Sequence, residues 1–174
     1  MLIHDKNFEI FISEKEIRLA VLRLADTINF DYSGKELVLI VILKGAFIFA
    51  ADLIRLLQFH SRIELLSAKS YGKEMTSSGI VELSIPDLDI EGKHVLIIED
   101  IVDTGLTLLS ITTALEQHSP LSIEITTLIS KPIMRKVDIK VKYIGIEIPP
   151  VFIVGYGLDY AEYGRNLPDI YAIK

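Results

Sequence analysis

The stretch Val95-Leu96-Ile97-Ile98-Glu99-Asp100-Ile101-Val102-Asp103-Thr104-Gly105-Leu106-Thr107-Leu108-Leu109 changes character twice within a few residues. Val95 to Ile98 is an unbroken apolar run rich in β-branched residues, which suits a strand covered on both faces in a parallel sheet. The run then turns acidic. Glu99 and Asp100 fall where such a strand emerges, and in open α/β sheets ligands bind outside the carboxyl ends of the strands. Ile101 and Val102 are apolar enough to tuck back under the sheet. Asp103, Thr104, Gly105, Leu106 and Thr107 follow, leading into a helical pattern that runs to about His118.

A helix start presents unpaired N–H groups and the positive end of a dipole, Gly105 lets the backbone come close, and hydroxyls flank it on both sides. Such a loop is built to hold a phosphate. Three carboxylates in five positions would repel that anion unless they serve other groups. Vicinal sugar hydroxyls are one possibility and Mg²⁺, which takes carboxylate and phosphate oxygens, is another. The ligand implied is a phosphorylated sugar with a metal. The plain alternative is a solvated strand end followed by an ordinary helix cap, but a cap needs one acceptor, not three carboxylates. Neither Gly-x-x-x-x-Gly-Lys-Ser/Thr nor Gly-x-Gly-x-x-Gly follows any apolar run, so those phosphate motifs are excluded.

Working outward, Ser13 followed by Glu16 is a capping box, with Ile17, Ala20, Val21, Leu24, Ala25 and Ile28 on one face of a first helix ending near Asn29. Tyr32-Ser33-Gly34 turns the chain, and Leu37 to Leu43 reads as a central strand. Lys44-Gly45-Ala46 repeats the strand-end logic as a second anion site, the bland reading being a lysine snorkelling from a strand end. Ala46 to Phe59 is read as helical with Phe47, Ala50, Ala51, Ile54 and Leu57 as its core face. The apolar window Leu37 to Leu57 is interrupted by Lys44-Gly45, Asp52 and Arg55, so it reads as strand, turn and helix and not as a membrane span.

Ile63 to Ala68 is the next strand. From Ser70 to Gly79 hydrophobicity collapses into a long polar loop, and Val81, Leu83 and Ile85 alternate as a returning strand that Pro86 ends. The helix after Gly105 carries Leu108, Ile111, Thr112 and Leu115 inward, and Ser119-Pro120 stops it. Leu121 to Ile129, Val141 to Ile148 and Val151 to Val154 are the remaining strands. Strand and helix in alternation make the fold class α/β, a doubly wound, mainly parallel sheet with helices on both faces and a small elaborated end.

The chain has 174 residues, half of them hydrophobic, with no linker or repeat, which points to one domain with a sizeable core. A formal net charge of -6 argues against a nucleic-acid partner, which needs a basic footprint. Cysteine is absent, so thiolate chemistry and disulfides are excluded. Met1 to Ile10 carries His4, Asp5, Lys6 and Glu9 and reads as no secretory signal, so the expected address is cytoplasmic, away from membranes.

Glu99 to Thr107 closely resembles the phosphoribosyl-diphosphate signature of the type I phosphoribosyltransferases. Together with Leu43-Lys44-Gly45, Ser70-Tyr71, Lys131-Pro132 and Val151 to Tyr160, the chain is similar to the hypoxanthine (guanine) branch of that family. The resemblance runs from about Leu37 to Arg165. It implies the type I phosphoribosyltransferase fold, one domain over residues 1–174, with a core of about 37–148 and a hood from the N-terminal segment and about 149–174. It also implies a flexible lid with Ser70 and Tyr71 near its start, and a non-proline cis bond in the Lys44-Gly45 loop.

The activity implied is purine salvage: Mg²⁺-dependent transfer of the 5-phosphoribosyl group of 5-phosphoribosyl 1-diphosphate to hypoxanthine or guanine, giving IMP or GMP and diphosphate. By the same resemblance Glu99, Asp100, Asp103, Thr104, Gly105, Leu106 and Thr107 bind ribose and its 5′-phosphate, and Asp103 is the general base. Lys44, Gly45 and Arg165 bind diphosphate. Lys131 reads the exocyclic oxygen of a 6-oxopurine, Phe152 stacks on the base, and the Ile153 backbone reads its edge. Asp159 lies near base and metal, and Glu99, Asp100 and Asp159 hold Mg²⁺. Relatives are dimers or tetramers. A donor-sensing regulator, a generic α/β binding module and a xanthine preference remain as alternatives.

Overall fold

The computed structural model describes residues 1–70, 81–84 and 88–174, with the side chains of 68–70 and 81–84 left aside. In chain order the elements are β1 (Leu2–Ile3), β2 (Lys6–Ile12), α1 (Glu14–Asp31), β3 (Leu37–Leu43), α2 (Phe47–Ile54), β4 (Ser61–Ser70) and β5 (Val81–Ser84). After these come β6 (His94–Val102), α3 (Leu106–Glu116), β7 (Ser122–Ser130), a 3₁₀ turn at Pro132–Met134, β8 (Tyr143–Glu147), β9 (Ile153–Val154) and β10 (Ile170–Ile173). Tyr71 and the rest of the polar loop to Gly79, like Ile85 and Pro86, lie outside the described residues.

The main sheet has the order β5-β4-β3-β6-β7-β8. Its last five strands are mutually parallel and β5 runs antiparallel to β4. β3 and β6 occupy the middle, and every residue from Leu37 to Ile42 is buried because both faces of the strand are covered. Alternation then sorts the side chains. Leu37, Leu39 and Val41 with Leu96 and Ile98 join the core under α1 and α2. Val38, Ile40 and Ile42 with Val95 and Ile97 join the core under α3.

α1 begins on a capping box in which Ser13 Oγ accepts from the Glu16 amide while Glu16 accepts from the Ser13 amide, and its six buried residues are the six read from its periodicity. α2 departs from the reading twice. It is only eight residues long, and it buries Phe49, Ala50 and Leu53 in place of the Phe47 face, Phe47 itself being exposed. Nearly every residue from Ala46 to Leu57 is apolar, so periodicity carried no phase information, and the tight turn at Lys44-Gly45 fixes which face meets the sheet. The helix after Gly105 buries Leu108, Ile111 and Leu115, with Thr112 only half-buried.

A second, antiparallel sheet of order β1-β2-β10-β9 is assembled from the first residues of the chain and the last. Phe8 and Val154 are fully buried in it, with Phe152, Tyr160 and Leu167 packed against them. Ile153 and Val154 therefore belong to this small sheet and not to the end of the main one; the two prolines Pro149-Pro150 mark the crossing. Strands β1, β2 and β10 had no distinct signal, since Ile10 and Phe11 interrupt the alternation of β2 by facing outward.

Candidate active site

β6 is longer than the run that announces it. It carries Glu99 and Asp100 inside the strand, where Glu99 pairs in register with Thr127 of β7, so both carboxylates are buried and neither forms a solvated strand end. Burial and the neighbouring Asp100 charge push the Glu99 carboxyl well above the usual carboxylate range. Burial raises Asp100 as well, against the lowering effects of hydrogen bonds and of Arg165. Asp100 Oδ1 accepts from the Ile101 amide at 2.9 Å and Glu99 Oε1 from the Asp100 amide at 3.3 Å.

The chain then leaves the sheet at Asp103 and enters α3 through Gly105, whose φ of +82° is left-handed. A β-carbon there would also lie 2.8 Å from Ile139 Cγ2, so both conformation and space ask for glycine. Among the described residues no side chain caps α3 by the usual geometry. The nearest is Thr104 Oγ1, 3.5 Å from the Leu106 amide, a marginal contact. The first amides of α3, including those of Leu106 and Thr107, are thus available to accept an anion, which disfavours the ordinary-cap reading.

Lys44-Gly45 closes over this strand end. The Leu43–Lys44 peptide bond is cis. A β-carbon on Gly45 would overlap Asp100 Oδ2 and come within 2.6 Å of its Cγ, so the loop backbone lies directly on the carboxylate. Gly157 in turn packs against the Gly45 carbonyl, bringing in the segment after β9. Arg165 ties that segment together: Nη1 donates to the Gly157 carbonyl at 2.9 Å and Nη2 lies 2.7 Å from Asp159 Oδ1. Lys44, Gly45, Asp100, Asp159 and Arg165, spread over more than a hundred residues of sequence, thereby form one neighbourhood.

A second neighbourhood surrounds Asp103. Buried Lys131 places Nζ 3.5 Å from Asp103 Oδ2, and Asp103 Oδ1 is buried with no hydrogen-bond partner among the described residues. Arg135, which sequence reading passed over, donates to the Asp103 carbonyl at 2.8 Å and to Ser130 Oγ at 3.0 Å, while the Lys136 amide donates to the Thr104 carbonyl at 3.0 Å. The end of β7 and its 3₁₀ turn thus clip the phosphate loop in place. The only sequence signal was Pro132, which starts a tight turn and so returns the residue three positions on toward the strand end.

The third group is aromatic. Phe152 is half-buried, its ring centroid 6.3 Å from that of Phe8 and 5.7 Å from Tyr160, edge to face with the latter. Ile153 is buried in β9. Ser70 ends β4, and Tyr71 is outside the described residues. Among the described residues no group of three or more His, Asp or Glu side chains is arranged to hold a metal alone. A cavity of about 530 Å³ between α1, α2 and Leu167 includes none of these site residues.

The phosphoribosyl transferase domain model matches residues 12–161. The chain belongs to that family. It is 42% identical over 174 residues to a hypoxanthine-guanine phosphoribosyltransferase of Aquifex aeolicus, covering 99% of this chain and 98% of the relative. It is 45% identical to the enzyme of the same name from Staphylococcus aureus, covering 98% and 96%. Among solved structures, a hypoxanthine-guanine phosphoribosyltransferase of Bacillus anthracis superposes with a TM-score of 0.90 at 43% identity, covering 98% of this chain and all of that one. The fold read from the β6 stretch is therefore the fold of the family, and the chain superposes on the Bacillus anthracis structure over nearly the full length of both.

Proposed function

We propose that this chain is a hypoxanthine-guanine phosphoribosyltransferase that transfers the 5-phosphoribosyl group from its 1-diphosphate to a ring nitrogen of a 6-oxopurine, releasing diphosphate. One observation carries the reading at the level of residues: buried Glu99 and Asp100 run through Asp103 directly into the uncapped start of α3. Carboxylates beside free amides suit a molecule with vicinal hydroxyls at one end and a phosphate at the other. The full-length similarity to relatives of that name points the same way.

In this reading the α3 amides and the Thr104 and Thr107 hydroxyls hold the 5′-phosphate, and Glu99 and Asp100 hold the ribose hydroxyls. Lys44, the Gly45 backbone and Arg165 receive the diphosphate, opposing the charge that develops as it leaves. Asp103, with its unpartnered Oδ1, takes the proton from the purine nitrogen as the glycosidic bond forms. Lys131 donates to the 6-oxo group, Phe152 stacks on the base, and the Ile153 backbone with Asp159 borders its far edge. The small antiparallel sheet is the hood of this arrangement.

Two adjacent buried carboxylates are costly to ionise and fit a cation in company with donor oxygens, which is how Mg²⁺ is usually bound. Glu99, Asp100 and Asp159 would hold it, and when bound it supplies charge neutralisation at the leaving diphosphate. A cytoplasmic location and a homodimer or homotetramer belong to the same proposal. No helix among the described residues is long and apolar enough to cross a membrane.

The test is diphosphate release from the activated sugar and Mg²⁺ in the presence of hypoxanthine, guanine, xanthine or adenine. Release with hypoxanthine or guanine and none with adenine is expected. Donor binding without release for any base would leave a sensor in place of an enzyme, and release with xanthine alone would reassign the base.

A further inference from the structure

Glu162 had no place in the reading of the sequence, yet it sits between the two cations assigned to diphosphate. Residues 160–163 make a two-residue hairpin in which the Tyr160 and Tyr163 amides donate to each other's carbonyls at 2.9 and 3.0 Å. Both residues of its tip, Ala161 and Glu162, are left-handed, with φ of 51° and 68°. Turns of this hand are ordinarily made from asparagine and glycine, because a β-carbon is crowded there. Asp159 Oδ2 holds the tip by accepting from the Glu162 amide at 2.9 Å. The turn brings the Glu162 carboxylate within reach of both cations: Oε2 lies 3.2 Å from Lys44 Nζ and 3.6 Å from Arg165 Nη2.

We propose that Glu162 is a counter-ion that stands in for diphosphate, sharing Lys44 and Arg165 while the donor site is empty and yielding both when diphosphate arrives. The proposal rests on the assignment of those two cations to diphosphate. Stability does not explain the contact, since Lys44 and Glu162 are each 69% exposed and pairs this open to water contribute little. Weakness is what a placeholder requires. A diphosphate carries several negative charges and displaces one carboxylate, yet that carboxylate remains tethered nearby by its own turn and repels the bound anion. As product diphosphate departs, Glu162 recovers its two partners, which favours release over retention.

The experiment compares the full-length protein with Glu162→Gln and Lys44→Ala, titrating magnesium diphosphate by calorimetry and measuring diphosphate inhibition of turnover. Glu162→Gln preserves the shape of the side chain and removes its charge. It is expected to bind diphosphate about three- to tenfold more tightly, with the gain shrinking at high salt and the KM for hypoxanthine unchanged. Lys44→Ala is expected to bind diphosphate more weakly. Equal or weaker binding by Glu162→Gln, together with weakened binding by Lys44→Ala, overturns the counter-ion alone. Unaltered binding by Lys44→Ala brings down the diphosphate assignment and the counter-ion with it.

Discussion

At Gly45 the chain has no room for a single carbon, because the Asp100 carboxylate occupies the space a side chain would take. Gly45→Ala must therefore displace the Asp100 carboxylate, and with the role proposed for Asp100 at the ribose hydroxyls it should weaken binding of the activated sugar with Mg²⁺ at least about tenfold by calorimetry. Unchanged affinity would remove this contact from the donor site. Asp103 is limited in a different way: its Oδ1 is buried with no partner among the described residues, and the amide of Asp103→Asn fits the same space but cannot take a proton. Turnover should fall at least about tenfold, at the lower end of what a general base supplies, while donor affinity stays near that of the parent. Unchanged turnover would end the general-base role. Asp100 and Asp103 stood out in the sequence because the order of acid, acid, acid, hydroxyl and glycine after an apolar run has few physical readings, while their separate roles came from the family resemblance. Arg135 and Glu162 did not, because each matters only through a partner 32 or 118 residues away that folding brings to it.

Among the elements, α1 and α2 mark the limits of pattern reading. The polar face of α1 gives its apolar face a phase, and all six buried residues follow from it. α2 has almost no polar face, so its spacing fits several faces equally, and contact with β6 and α1 decides the matter. A mutational pair checks the corrected phase. Phe49→Ala, at a fully buried position, should cost about 3–5 kcal/mol in urea unfolding, whereas Phe47→Ala, 46% exposed, should cost well under 1 kcal/mol. Equal costs would mean that the helix presents a different face. β6 makes the complementary point: Glu99 and Asp100 looked like an exit from the sheet because carboxylates are rarely buried in strands. Functional sites are where that rule is broken.

For the molecule as a whole, the end of α1 is fastened to the edge of the main sheet by Asp31, which accepts from Tyr143 Oη at 2.7 Å and lies 3.0 Å from Lys142 Nζ. The Tyr143 hydrogen bond, followed by Lys142, holds the Asp31 carboxyl below its ordinary value of 3.8. A carboxyl depressed in the folded state stabilises the protein above its unfolded value and loses that contribution as pH falls through the folded one. Thermal unfolding between pH 7 and pH 2 should therefore show the parent losing stability below about pH 4, with Asp31→Asn less stable at neutral pH and flatter across the acid range. A parallel decline in both proteins would rule Asp31 out as a contributor. The centre of the main sheet was legible because β3 and β6 are covered on both faces and read as solid apolar runs. The small sheet was not: its strands are two to seven residues long, and its middle pair, β2 and β10, joins segments from opposite ends of the sequence.

That arrangement bears on how the protein is made. β10 is the shared neighbour of β2 and β9, so residues 170–173 have to be made before β2 gains its long-range partner. The main sheet can assemble during synthesis, whereas the wall that carries Phe152 waits for the longest loop closure in the molecule. Nascent chains halted before Ile170 should accordingly hold a formed phosphate cradle next to an unfinished base pocket.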